Sequence, residues 1–234
     1  MRSLLFSIFL ISFTGFGQTQ DAQLWTGLGL NADISKKFSL KYETQTRFYK
    51  NASTLRTYYN EFSADYEFIK NLSAGLSYRY SRKNKESYFA GENRICLNAD
   101  YSLKLAKTGL RLKTRARYQL GFQRTAVVND VIYPDMGSAF RCKFDLKYKN
   151  DKFKRILPFL GYELFKAIQP VGYKGLDGYR LYAGLDFDLP ARHELSFKYI
   201  YEMDYGNQQD ITHNYLLQYN YSLPSKWFDK KKKK

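Results

Sequence analysis

The side chains with chemistry to offer are mostly charged, and they fall on every second position. Arg111, Lys113, Arg115 and Arg117 form a basic ladder, and Arg141, Lys143 and Lys147 repeat it downstream. Acids follow at Glu163, Asp186, Asp188, Glu194, Glu202 and Asp204, with Glu43, Glu61, Asp65 and Glu67 earlier. Two chemistries compete. A basic ladder in a confined space attracts anions, which points to an anion-preferring, porin-like channel for small solutes. Acids in similar number would instead pair with those cations and fill the space between them, and that reading is favoured. Hydrolytic chemistry has little to draw on. The two histidines are His193 and His213, and Ser196 falls on the polar side of its segment. No Ser–His pair with an acid is therefore presented on the apolar side. A triad is defined by geometry and not by order, so a lipid hydrolase or acyltransferase ranks last but is kept. No Gly-rich phosphate loop, His-Glu-x-x-His or repeated Asp-x-Asp loop occurs, so no catalytic, cofactor or metal residue is named. Cys96 and Cys142 lie on opposite faces by the alternation and lack zinc spacing, so they read as packing residues.

The elements that must position these residues are β-strands. Phe38, Leu40, Tyr42, Thr44, Thr46 and Phe48 alternate with Ser39, Lys41, Glu43, Gln45, Arg47 and Tyr49. That is strict period two over twelve residues, whereas a helix would scatter the apolar side chains all round. The pattern recurs at 24–34, 58–68, 72–80, 95–105, 110–122, 140–148, 156–165, 179–189, 194–204 and 215–222. In the less regular 156–165 segment, Leu160, Tyr162 and Leu164 are placed outward, with Phe159, Gly161, Glu163 and Phe165 inward. In the next strand Arg180, Tyr182, Gly184, Asp186 and Asp188 are inward. Short turns are read at 35–37, 70–71, 106–108 and 190–192. Longer loops are read at 50–53, 81–91, 124–136, 166–175 and 205–211, which would face the exterior of a bacterial barrel. Eleven segments result, yet single-chain bacterial barrels have even strand numbers. Twelve strands are therefore expected, the missing one falling within 124–136, with ten as the alternative.

Four features place the apolar face in lipid. Residues 1–17 read as a cleaved signal peptide, with Arg2 ahead of the apolar run Leu4–Phe13 and small Gly15 and Gly17 at its end. The strands have membrane-spanning length. Aromatics such as Phe38, Phe48, Phe140 and Tyr148 flank an aliphatic middle, as girdles do. A soluble barrel of this size would enclose a wide apolar cavity that needs filling. The mean hydropathy of −0.54 does not oppose this, because membrane strands hide apolar residues among polar ones. The expected organisation is a signal peptide at 1–17, a transmembrane up-and-down barrel at 18–223, and a basic tail at 224–234. Much of the +16 net charge lies in that tail, in Lys226 and Lys230–Lys234. It reads as solvated chain, or as a contact for anionic lipid heads. Nucleic acid is a poor fit because the basic residues interleave with strands.

Several stretches resemble a family of outer-membrane barrels described only as a domain of unknown function, numbered two thousand four hundred and ninety. They are Gln23-Leu24-Trp25, Pro158–Phe165, Gly178–Leu185, and His193-Glu194-Leu195 with Tyr199. The similarity covers about residues 22–222. It implies an outer-membrane location and a barrel fold, with no assigned activity. It also implies Glu163 and Arg180 as a pair inside the lumen. The expected partners are outer-membrane lipid and lipopolysaccharide, the assembly machinery, and small anions in the channel reading. Candidate lumen-lining residues are Arg111, Lys113, Arg115, Arg117, Arg141, Lys143, Glu163, Arg180, Asp186 and Glu202. One departure is the end of the chain, which runs on through Trp227, Phe228 and the lysines past the last strand.

Overall fold

A computed structural model describes residues 21–105, 108–128, 131–149, 155–168, 176–205 and 210–224, and the backbone alone at 123–128 and 131–135. The expected signal peptide and all but the first residue of the basic tail lie outside the described residues. The described chain forms eleven strands: β1 (Asp21–Asp33), β2 (Phe38–Tyr49), β3 (Thr54–Ile69), β4 (Leu72–Asn84), β5 (Phe89–Lys104), β6 (Leu110–Val128), β7 (Val131–Tyr148), β8 (Ile156–Ile168), β9 (Gly178–Leu189), β10 (His193–Asp204) and β11 (Asp210–Leu223). Each strand pairs antiparallel with its neighbour in sequence, and β1 closes the barrel against β11.

That closure corrects the expected count. Eleven alternating strands leave the first and last running the same way, so β1 and β11 pair in parallel, in unbroken register from Asp21↔Thr212 to Ala32↔Leu223. A twelfth strand within 124–136 is not found. Those residues lengthen β6 and β7 instead, whose pairing runs on to Val128↔Val131 with one irregularity between Arg124 and Ala126. Likewise the expected loop 81–91 is strand at both ends, and β4 pairs with β5 as far as Asn84↔Phe89. The parity rule misled because the last pair of a closed sheet need only satisfy its backbone groups, which a parallel ladder also does.

The barrel has two unlike rims. The entry rim, where β1 begins, carries connections 50–53, 85–88, 129–130, 169–177 and 205–209. The exit rim, where β11 ends, carries 34–37, 70–71, 105–109, 149–155 and 190–192. Turn chemistry sets the exit rim locally. The Ser35 hydroxyl accepts from the amides of Lys37 and Phe38 at 3.3 and 3.0 Å, and Asn71 takes φ 72° in a two-residue link. The clean alternation of short and long connections does not hold, because 149–155 is long and 85–88 short. What distinguishes the entry rim is wall height: β6 and β7 run 19 and 18 residues.

Side chains follow the period-two reading closely. Gln23, Trp25, Gly27 and Gly29 turn inward on β1, while Leu24, Leu28 and Leu30 turn outward and exposed. The same division places Phe159 and Glu163 inside and Leu160 outside on β8. Small residues inside make room for large ones on the adjacent strand. Gly184 lies opposite Phe159 in the ladder. A Cβ there would come within 2.5 Å of the Phe159 ring and 2.4 Å of the Phe197 carbonyl oxygen, which is backbone and cannot step aside. Gly184→Val should therefore destabilise the folded barrel by about 1–3 kcal/mol. Denaturant titration of the detergent-folded protein checks this, and an unchanged midpoint would show that the ring does not depend on that space.

Candidate functional site: a filled lumen and an open vestibule

The lumen divides into two zones. Toward the entry rim it is packed solid. Trp25, Tyr182, Ile200 and Leu216 form an apolar cluster with Phe159, and Ile200 is only 1% exposed. Such rings and aliphatics inside a polar barrel need cations nearby to make the polar side chains compatible with them. The Arg47 guanidinium lies 3.8 Å from the centre of the Trp25 ring, and Arg79 lies 3.8 Å from that of Tyr59. Arg141 and Arg180 both stack on Phe165, at 4.4 and 4.7 Å. Flat guanidinium groups suit this because they stack by their faces and still donate at their edges.

The edges find carboxylates. Arg79 Nε donates to Glu61 at 2.6 Å, and Arg141 Nη2 meets Glu163 at 2.8 Å. Arg180 Nη2 donates to Glu202 at 2.6 Å, and its Nη1 approaches Glu163 at 4.0 Å. The Tyr182 hydroxyl donates to Glu163, and that of Tyr59 to Glu43. Several contacts skip strands. Arg117 on β6 reaches Glu61 on β3 at 3.6 Å, and Arg180 on β9 lies 5.5 Å from the Trp25 ring on β1. Links of this kind cross the lumen, so the cross-section is occupied by side chains. Glu61, Arg117, Glu163 and Tyr59 in this layer are 3–8% exposed.

Toward the exit rim the lumen opens into a vestibule of about 940 Å³. Its mouth includes Lys36 and Lys37 of the β1–β2 turn, its walls include Asp65, Asp100 and Lys113, and Phe159 and Lys198 lie at its floor. A side recess of about 210 Å³ extends past Arg115 and Arg117 to Glu61.

All ten lumen candidates read from the sequence lie on the inward-facing set, but they do not form one site. Arg111 is exposed near the exit rim. Lys113 and Arg115 share Asp100, at 3.2 and 3.7 Å, and Arg117 also donates to Asn98 at 2.6 Å. Lys143 pairs with Asp145 at 2.8 Å, and Asp186 takes Lys147 and the Ser196 hydroxyl. Arg141, Glu163, Arg180 and Glu202 belong to the packed layer. The implied pairing of Glu163 with Arg180 is seen as register partners in the ladder, but the closer partner of Arg180 is Glu202. The alternation put Trp25, Tyr59, Phe165 and Lys198 on the inward side, but the sequence reading named none of them among its lumen candidates. The signal was an aromatic at a position where the alternation demands a polar residue.

Both histidines lie outside the lumen. His193 stacks between Tyr219 and Tyr221, at 5.7 and 4.8 Å, and shares a hydrogen bond with the Tyr219 hydroxyl. His213 bonds Tyr199 at 2.6 Å. No group of three metal-ligating side chains occurs among the described residues. Cys96 is buried inside, Cys142 is half-buried, and both are free.

Residues 22–213, from β1 into the start of β11, match one family model. The chain belongs to the DUF2490 family, described as proteins of unknown function. No curated protein matches the chain. The β domain of the Bordetella autotransporter BrkA, known from a crystal structure, is similar to this DUF2490 barrel at 13% identity. The match covers 76% of this chain and 81% of that one, with a TM-score of 0.45.

The packed layer of the DUF2490 barrel depends on Glu163, which serves two arginines and a tyrosine. Glu163→Ala leaves Arg141 without its carboxylate in a site closed to water, and should cost about 3 kcal/mol. Unfolding in detergent checks this, with Glu67→Ala at the exit rim as a control of small effect. Equal losses for the two would mean that the layer is not what holds the barrel.

Proposed function

We propose that this protein is a non-enzymatic outer-membrane barrel with a closed, salt-bridged lumen, whose role lies in its wall and rims and not in bulk passage of solutes. The observation that carries the reading is the distribution of exposed apolar side chains. Leu28, Phe62, Leu97 and Leu160 are 57–63% exposed, stand on β1, β3, β5 and β8, and all point away from the charged interior. A belt of this kind around the circumference far exceeds the apolar patches that water-soluble monomers expose. Tyrosine rows border it. Tyr179 contacts Tyr162, Tyr201 and Tyr205 near the entry rim, and Tyr66 packs on Phe68 near the exit rim. Aromatic girdles occupy those levels in outer-membrane barrels. Among the described residues no helix is long and apolar enough to cross a membrane, which says nothing about strands.

The taller entry rim would face the cell exterior and the exit rim the periplasm. Outer-membrane lipid and lipopolysaccharide would then surround the wall, with assembly machinery acting during insertion. An anion channel along the basic ladder is the weaker reading, because Lys113, Arg115 and Arg117 each lie within ion-pair distance of a carboxylate and the layer above them is packed. A lipid-modifying enzyme is weaker still. Each histidine ring hydrogen-bonds a tyrosine hydroxyl, His193 with Tyr219 and His213 with Tyr199, whereas the Ser196 hydroxyl is turned inward to Asp186.

Two measurements test the proposal. In a Cys142→Ser background, Ser87→Cys in connection 85–88 should react with a membrane-impermeant maleimide on intact cells. Lys36→Cys should react only after permeabilisation. Recovery of the protein in the soluble fraction, or the reverse labelling pattern, would overturn the location or the orientation. In planar bilayers the folded barrel should give no steady conductance, and regular open steps would restore the channel.

A further inference from the structure

We propose that the vestibule at the exit rim is a binding site for one small oxyanion, a carboxylate or a phosphate, with Lys198 as its anchor. Lys198 stands at the vestibule floor, and its position in the ladder is flanked by Gly184 on β9 and Leu216 on β11. Its ammonium lies 5.3 Å from the centre of the Phe159 ring and 5.8 Å from that of Tyr182. Behind it lies the apolar cluster of Phe159, Tyr182, Ile200 and Leu216. Among the described residues Lys198 has no carboxylate within 4.0 Å and donates no hydrogen bond, unlike the other lysines of the floor.

The neighbouring charges do not fill that gap. Lys143 holds Asp145, while Lys147 and Ser196 hold Asp186. Glu194 accepts from Asn220 at 2.9 Å. At the floor Asp145 and Asp186 each hold another lysine, so neither is bonded to Lys198. An ammonium carries three donors, and leaving them unmet against apolar surface is costly. Rings and aliphatics fill one side, so the donors can be met only from the vestibule. Its volume lies at the upper end of the range of small-molecule sites. On the surrounding walls Lys41 holds Asp65 and Lys113 holds Asp100, so those cations are already paired and Lys198 is left as the single anchor for one small anion.

The inference stands apart from the membrane reading, because the pocket is measured on the purified, detergent-folded chain. Isothermal titration at low salt with inorganic phosphate and with benzoate should give saturable binding of one anion per barrel, and benzamide none. Lys198→Gln should weaken binding of both anions by about tenfold or more, the loss expected for a charge-assisted hydrogen bond. Lys198→Arg should keep it, and Lys70→Gln in the 70–71 turn, outside the vestibule lining, should leave it unchanged. Retention of the heat-modifiable mobility of the folded barrel certifies each variant. Absence of saturable binding to the folded protein, as expected if Lys198 swings onto Asp145 instead, overturns the site. So does equal affinity in Lys198→Gln. Failure of cell-surface labelling with anion binding intact would remove the location and keep the pocket.

Discussion

A sheet closed on itself has no free edge, and here closure rests on a parallel ladder between β1 and β11. Every other pair in the barrel is antiparallel and joins strands that are consecutive in sequence. The β1–β11 pair has no such help, because its two strands are the most distant in sequence. Its formation sets the odd strand number. It also puts the start of β1 and the end of β11 on opposite rims. Closure by a parallel ladder is slightly weaker per residue than an antiparallel one, and the unbroken run of twelve partnered positions offsets that. Side chains support the seam from inside, where Gln218 of β11 donates past β1 to Glu43 of β2 at 3.3 Å.

Closure creates an interior that must then be filled. Eleven strands enclose more space than aliphatic side chains spanning from one wall could occupy. Long cationic side chains reach the axis, and aromatic rings give them a surface to lie on. Arg79, Arg141 and Arg180 are held twice, by a ring at the guanidinium face and a carboxylate at its edge, as Arg79 is by Tyr59 and Glu61, while Arg47 donates to Gln45 instead. The double hold fixes geometry in a way that a charge pair alone does not, and buried polar groups with every partner in place favour a single arrangement. The layer is not uniform in this respect, since Arg141 Nε and Arg180 Nε have no hydrogen-bond partner. Their faces lie against Phe165, which leaves those edges pointing along the ring.

Packing near one rim and space near the other give the barrel a direction. The filled zone follows the cluster of large inward residues, Trp25, Tyr59, Phe165, Tyr182 and Ile200. The vestibule follows the shorter inward residues, Ser39, Ser73, Ser102 and Ser196, on the exit side.

Alternation by itself determined most of the wall. The inward placement of Phe159, Glu163, Arg180 and Tyr182, and the outward placement of Leu160 and Leu97, follow from period two, because successive side chains of a strand must point to opposite faces. The all-β class and the ten lumen candidates were legible for the same reason. The strand count and the partners were not. Parity depends on how the first and last strands meet, and no local pattern in either encodes that. Residues 81–84 read as loop because Ser81, Arg82, Lys83 and Asn84 are polar on both faces, and 124–128 because Ala126, Val127 and Val128 are consecutive and do not alternate. The partnership of Arg117 with Glu61 and the isolation of Lys198 depend on stagger between strands and on which side chains meet across the axis. Those are fixed only when the sheet closes, which is why the tertiary structure alone decided them.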